Sequence, residues 1–250
     1  MEARYADRIV VDRQHEERTV MHLNILNNQY IEELYAEYVV KESSYFQRFE
    51  DLNAVLSPQE LAAYSRMDPP RVVSIIDFKE WVKKYGIDQG ENLLSTCPSD
   101  PELKYIKYKN VTGVYYPPHD LHTFDVPKKD NDFAIFNQTI EHLHTPILAI
   151  NRIREHLKEG GYAYTTMPII NIPHLTPIHF NGLTPTGLCA LMESCGFEVC
   201  ECGYWGNKKY IDYIFTHGDW PNYKQVLDES GKLKYDPVCQ AQTWVLAKKV

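Results

Sequence analysis

The sequence predicts an α/β fold: a mostly parallel sheet with helices on both faces, preceded by a helical extension. Three observations carry this. From Asn92 onward short apolar runs alternate with helical patterns, as in consecutive βαβ units. Residues 1–90 are helical by pattern instead. The chain of 250 residues, 44% hydrophobic, is long enough to bury a substantial core.

In the extension, MHLNILNNQYIEELYAEYVV places Leu23, Leu26, Tyr30, Leu34 and Val39 near helical spacing. Ser57, with Glu60 three residues on, has the signature of a capping box. The stretch IIDFKEWVKKYGI then sets Ile75, Phe78, Val82 and Tyr85 on one stripe and stops at Gly86. These stripes are read as core and lid surface. Residues 1–90 are therefore expected to form an extension or lid, and 91–250 the α/β domain.

Within that domain the order is NLLSTC, a short helix, VTGVYY, a loop, then DFAIFNQ as a buried strand over Asp132 to Gln138. A helix from Glu141 to Leu157 turns Ile147, Ile150, Ile153 and Leu157 to the core, and Gly160 and Gly161 break it before a strand from Tyr162 to Met167. TPTGLCALMESCGF is a further helix, ended by Gly196. FEVCECGYW and QTWVLAKKV follow as strands, expected to close the sheet as an antiparallel hairpin. Such sheets bind ligands beyond the carboxyl ends of their strands.

Composition narrows the function. A net charge of −8 and a pI near 5.7 argue against binding driven by attraction to nucleic acid or anionic membrane. The charged opening MEARYADRIVVDRQHEERTV lacks the apolar segment of a signal peptide, and no run is long enough to span a bilayer, so a soluble cytoplasmic protein is expected. The six cysteines lack a disulfide framework and are read as reduced thiols; Cys200 and Cys202 form a CxC rather than a zinc ribbon's CxxC. No HExxH or comparable spacing occurs, so no metal is expected, and no GxGxxG opens a helix, which disfavours a nicotinamide enzyme.

The segment NDFAIFNQTIEHLHTPILAINRIREHLKEGGYAYTTMP, with GLTPTGLCALMESCGFEV and TWVLAKK downstream, resembles the class I S-adenosylmethionine-dependent methyltransferases, in particular their small-molecule branch. The pattern is an acidic residue opening a strand, an EHL after it, a helix, and GG before the next strand. The resemblance covers about Glu91 to Val250. It implies a Rossmann-like, mostly parallel seven-stranded sheet and S-adenosylmethionine as cofactor.

A cofactor with a carboxylate, a sulfonium and an adenosine needs matching surfaces. Ser99, with Glu102 three residues later, offers a second capping box, whose free amides would meet the carboxylate; Ser95, Cys97 and Ser99 are the expected contacts there. The family's usual Gly-rich turn is replaced by Ser95, Thr96, Cys97, Pro98 and Ser99, and its ribose-binding acid at the end of VTGVYY by Tyr115 and Tyr116. The resemblance places Asp120 at the adenine amino group and Leu121 against its ring, with Asp125 as the competing acid. Asn137 and Gln138, at the carboxyl end of their strand, suit the amino-acid end of the cofactor. Glu141 and His142 fall beside the transfer site.

The acceptor side is expected from NIPHLTPIHFNGLTP and the N-terminal helices. A hydroxyl acceptor needs a base, and His144, His174 and His179 are candidates, as is His142; His179 is the first choice and His142 the second. Eighteen tyrosines and four tryptophans, several in GYWGNKKYIDY, lean toward a carbohydrate or similar polyhydroxylated acceptor. The expected function is O-methylation of a small molecule or glycan. The alternative is a catalytically inactive methyltransferase-like scaffold that binds a partner. The expected partners are the acceptor and a second copy of the chain, with neither nucleic acid nor membrane.

Overall fold

The computed structural model describes residues 28–127, 129–174 and 178–250; Leu23 and Leu26 of the first expected stripe lie outside them. The described chain opens with helix α1 (Asn28–Leu34), which runs into a π-helical turn (Tyr35–Val39). Short helices α2 (Ser43–Gln47), α3 (Leu52–Val55) and α4 (Pro58–Ala63) follow, then the long helix α5 (Pro69–Lys84). The capping box at α4 forms as expected: Ser57 Oγ accepts from the Glu60 amide at 3.3 Å, and Glu60 Oε2 accepts from the Ser57 amide at 2.8 Å.

The strands are β1 (Gln89–Ser95), β2 (Lys107–Gly113), β3 (Asn131–Ile135), β4 (Leu157–Pro168), β5 (Phe197–Trp205) and β6 (Gln242–Lys249). Their order is β2-β1-β3-β4-β6-β5. The first four pair in parallel, while β6 runs antiparallel to both β4 and β5. The expected hairpin of the last two strands is present, with β6 inserted between β4 and β5. The expected seven-stranded, mostly parallel sheet is corrected to a mixed sheet of six strands among the described residues. The segment after β2 explains the difference. Pro117, Pro118 and Pro127 lack the amides a ladder needs, and the segment instead lays the buried side chains of Val114, Leu121, Phe124 and Val126 onto the sheet from an otherwise largely exposed loop.

Helices α6 (Pro146–Glu155) and α7 (Pro185–Ser194) cover one face, and α5 and α8 (Lys208–His217) the other. The period-two alternation of the strands feeds both layers: Leu94, Ala134, Ala163 and Val245 point to one core, Leu93, Phe133, Tyr164 and Trp244 to the other. Ile75, Phe78 and Val82 of α5 are fully buried against this second face. The helix expected over 141–157 divides into a single 3-10 turn (Ile140–His142) and α6, because Pro146 restarts it at its first turn. Gly160 and Gly161 lie within β4, where Gly160 has φ +71°. No described helix is long and apolar enough to cross a membrane.

Candidate active site

The carboxyl ends of β3 and β4 and the start of β6 meet at one rim, since Pro168 pairs with Gln242 across the antiparallel ladder. A cavity of about 230 Å³ opens there. Gln138, Glu141 and His142 line it from the segment after β3, Asn171 and His174 from the loop after β4, and Gln242 from β6. Asp68, just before α5, and the aromatic rings of Tyr210 and Trp220 complete the wall. Gln138 holds φ +47°, a left-handed backbone that a non-glycine residue adopts at a cost. It is fixed by two bonds to Thr166, from its amide to the carbonyl at 2.8 Å and from Nε2 to Oγ1 at 3.0 Å.

Three histidines gather beside the cavity, with His174 5.2 Å from both His142 and His179 between ring centroids. His142 Nδ1 lies 3.0 Å from the Ile178 carbonyl. A carbonyl only accepts, so Nδ1 carries the proton and Nε2 keeps its lone pair. Burial, assisted by the other two histidines, lowers the His142 pKa and keeps the ring neutral. His179, the first choice from sequence, stacks on His174, donates its backbone amide to the His174 carbonyl at 3.1 Å, and leaves a buried Nε2 without a partner. It does not line the cavity. His144 is exposed and stacks on His122, away from the other three.

Behind the cavity Arg71 of α5 is buried and donates to Thr166 Oγ1 at 3.0 Å, Asp100 Oδ1 at 3.1 Å and Glu102 Oε2 at 2.9 Å. One guanidinium thus faces two buried carboxyls. Burial and the Glu102 charge push Asp100 up to about 7, and burial raises Glu102, against the pull of Arg71. Burial likewise takes Glu141 to about 8 and Asp68 to about 6.

The residues expected at the cofactor divide into two groups. Asn137, Gln138 and Glu141 come together at the rim. Ser95 does not reach it: its buried hydroxyl donates to the Cys97 carbonyl at 2.9 Å and closes the turn on itself. The expected Ser99–Glu102 capping box is corrected. The segment Pro101–Tyr105 is a 3-10 helix with Asp100 at its N-cap and no side-chain cap, because Glu102 turns inward to Arg71. Ser99 is exposed, with its Oγ 3.3 Å from Cys97 Sγ. Tyr115 is half-buried and folds over Gly113, where a Cβ would lie 2.3 Å from the ring. Asp120 faces solvent and accepts from the His122 amide at 2.9 Å, while Leu121 packs into the core. Asp125 is exposed and pairs with Lys129 at 2.9 Å.

Sequence reasoning missed Arg71, Asp68, Trp220 and Gln242, while Asn171 opens the loop expected on the acceptor side. Only the Arg71 signal was available, as a charge on the otherwise apolar start of α5.

A methyltransferase-domain family model matches residues 64–201, which run from the end of α4 into β5. The chain belongs to this methyltransferase family. No curated protein sequence matches it. Among solved structures it is similar to the [4+2]-cyclase SpnF, at 16% identity and TM-score 0.46, over 71% of this chain and 82% of that one. It is also similar to an S-adenosylmethionine-dependent methyltransferase from Thermotoga maritima, at 15% identity and TM-score 0.44, over 84% and 100%.

S-adenosylmethionine is the cofactor of this methyltransferase family. The residues present fit its amino-acid end. Asp100 Oδ2 and Glu102 Oε1 are buried without hydrogen-bond partners, and the Asn137 amide approaches Glu102 with neither of its atoms in a well-formed bond. Such an acid-rich set of unpaired groups is what an ammonium would satisfy. Asn137, Gln138, Asp100 and Glu102 would hold that end. When bound, the cofactor supplies an electrophilic methyl group.

Proposed function

We propose that this methyltransferase acts on oxygen of a small polyhydroxylated acceptor, a carbohydrate or a compound like it, seated in the cavity beyond β3 and β4. The observation that carries this is His142, a neutral imidazole on the cavity wall whose Nε2 lone pair is free. As an acceptor hydroxyl attacks, its proton passes to that nitrogen, and holding the nucleophile in line contributes more to rate than the base does. Gln138 and Gln242 offer both donors and acceptors to hydroxyls, Asn171 offers its amide donor, its oxygen being taken by the Ile172 amide and Trp220 Nε1, and Trp220 offers a flat apolar wall. A cavity of about 230 Å³ suits one ring better than an extended chain, given the ~300–1,000 Å³ usual for drug-sized ligands.

Calorimetric titration with S-adenosylhomocysteine tests the reading, together with transfer of labelled methyl from the cofactor to monosaccharides. Saturable heat, weakened in Asp120→Ala, supports it; no heat at millimolar ligand defeats it. A second reading, the inactive scaffold, is favoured by the Tyr115 ring lying over Gly113 and by Asp120 facing outward. Mass spectrometry for a co-purified nucleoside separates the two.

A further inference from the structure

The cavity has an asymmetry of charge that a neutral sugar does not use. Two carboxyls from separate elements line it, Glu141 from the turn after β3 and Asp68 from the start of α5, and no lysine or arginine among the described residues does. Glu141 is 1% exposed, and its Oε2 is buried without a partner among the described residues. Gln242, which also lines the cavity and is 4% exposed, leaves Nε2 equally unpaired among the described residues. The cavity lining therefore presents an unpaired carboxyl oxygen and an unpaired amide nitrogen. An unpaired buried polar group costs free energy that a matching ligand recovers.

We propose that the acceptor is a protonated amine that also carries hydroxyls, of the amino-sugar type, with its ammonium between Glu141 and Asp68 and a hydroxyl oxygen accepting from Gln242 Nε2. This rests on the methyltransferase reading above. Burial alone keeps Glu141 from ionising, and a cation brought beside it restores the charged form. An ammonium has no lone pair, so anchoring the nitrogen this way leaves a hydroxyl as the nucleophile facing His142. Tyr210 and Trp220 line the same wall, and their ring faces are compatible with a cation.

The test is calorimetric titration of the full chain with glucosamine, galactosamine and mannosamine, each beside its neutral parent hexose, with S-adenosylhomocysteine titrated separately. At least one amino sugar is expected to bind about tenfold or more tighter than its parent, the worth of a hydrogen bond to a charged group. Glu141→Gln, checked for folding by circular dichroism, should erase that preference. Gln242→Met should weaken the amino sugar while the preference for an amine over its parent survives. Equal affinity within every pair, no binding by any amine, or a preference that persists in Glu141→Gln overturns the proposal. If S-adenosylhomocysteine binds and the amine preference is absent, only this inference fails; if S-adenosylhomocysteine does not bind, the methyltransferase reading fails with it.

Discussion

Arg71 Nη2 and Glu102 Oε2 lie 2.9 Å apart in the interior, joining α5 to the turn between β1 and β2. The pair ties the helix that precedes the sheet to the segment where the family's glycines usually sit. It also leaves Asp100 and Glu102 sharing a single cation.

Removing that cation strands two buried carboxyls. Arg71→Met should destabilise the fold by about 3–5 kcal/mol, the usual cost of breaking a buried ion pair from one side. Urea unfolding checks it. A loss under about 1 kcal/mol would mean that water already screens the group.

Glu141 gives a pH signature of stability. Its folded pKa, about 8, stands above the ordinary 4.5, so the folded chain holds this proton more tightly than the unfolded one. Stability is undiminished below the ordinary value and falls as pH rises toward 8. The charged group facing the carboxyl is Arg71, and the neutral His142 ring lies beside it, with Nε2 3.9 Å from Glu141 Oε1. Glu141→Gln should therefore unfold several degrees higher than the parent at pH 8 and at nearly the same temperature at pH 4.5, as followed by thermal melts.

The two histidines separate in kinetics. His142→Ala should lower kcat by roughly 10²–10⁴ with little change in cofactor affinity, the range of a lost general base. His179→Ala, which removes a ring stacked behind His174, should cost less than about tenfold. Steady-state rates with labelled cofactor decide, and the reverse order would return the base to His179.

Gly203 on β5 leaves room for the bond from Trp244 Nε1 to Asp77 Oδ2, 2.8 Å long and buried. A methyl group at residue 203 would stand 2.1 Å from that indole nitrogen and 2.6 Å from that oxygen. Gly203→Ala should cost about 1–3 kcal/mol or more by overpacking. Gly231→Ala is the control. It has φ +78° and open space around it, so only its backbone conformation is penalised, by about 1 kcal/mol.

The inner strands were legible because each holds a short apolar run whose alternate residues feed two cores, and the Ser57–Glu60 cap because it is local in sequence; β2, KYKNVTG, is largely exposed, and the expected run VTGVYY overlaps it only at residues 111–113. What was not legible is long-range. Ser99 and Glu102 have the spacing of a cap, but Arg71, 31 residues away from Glu102, outbids the backbone for that carboxylate. The missing strand was invisible for a related reason. Residues 114–127 carry no clear period, and their apolar residues pack on the sheet from a loop. At the site, Asn137, Gln138, Glu141 and His142 were found because they follow one strand. Asp68, Trp220 and Gln242 arrive from helix, loop and final strand, and nothing in their local sequence marks them.

The strand inserted between β4 and β5 is the last in sequence, and it brings Gln242 to the cavity. Among the described residues β5 pairs with β6 alone, so during synthesis that ladder waits until residues 242–249 leave the ribosome. The amino-terminal layers have time to pair locally, while the cavity wall is finished in one late zippering event.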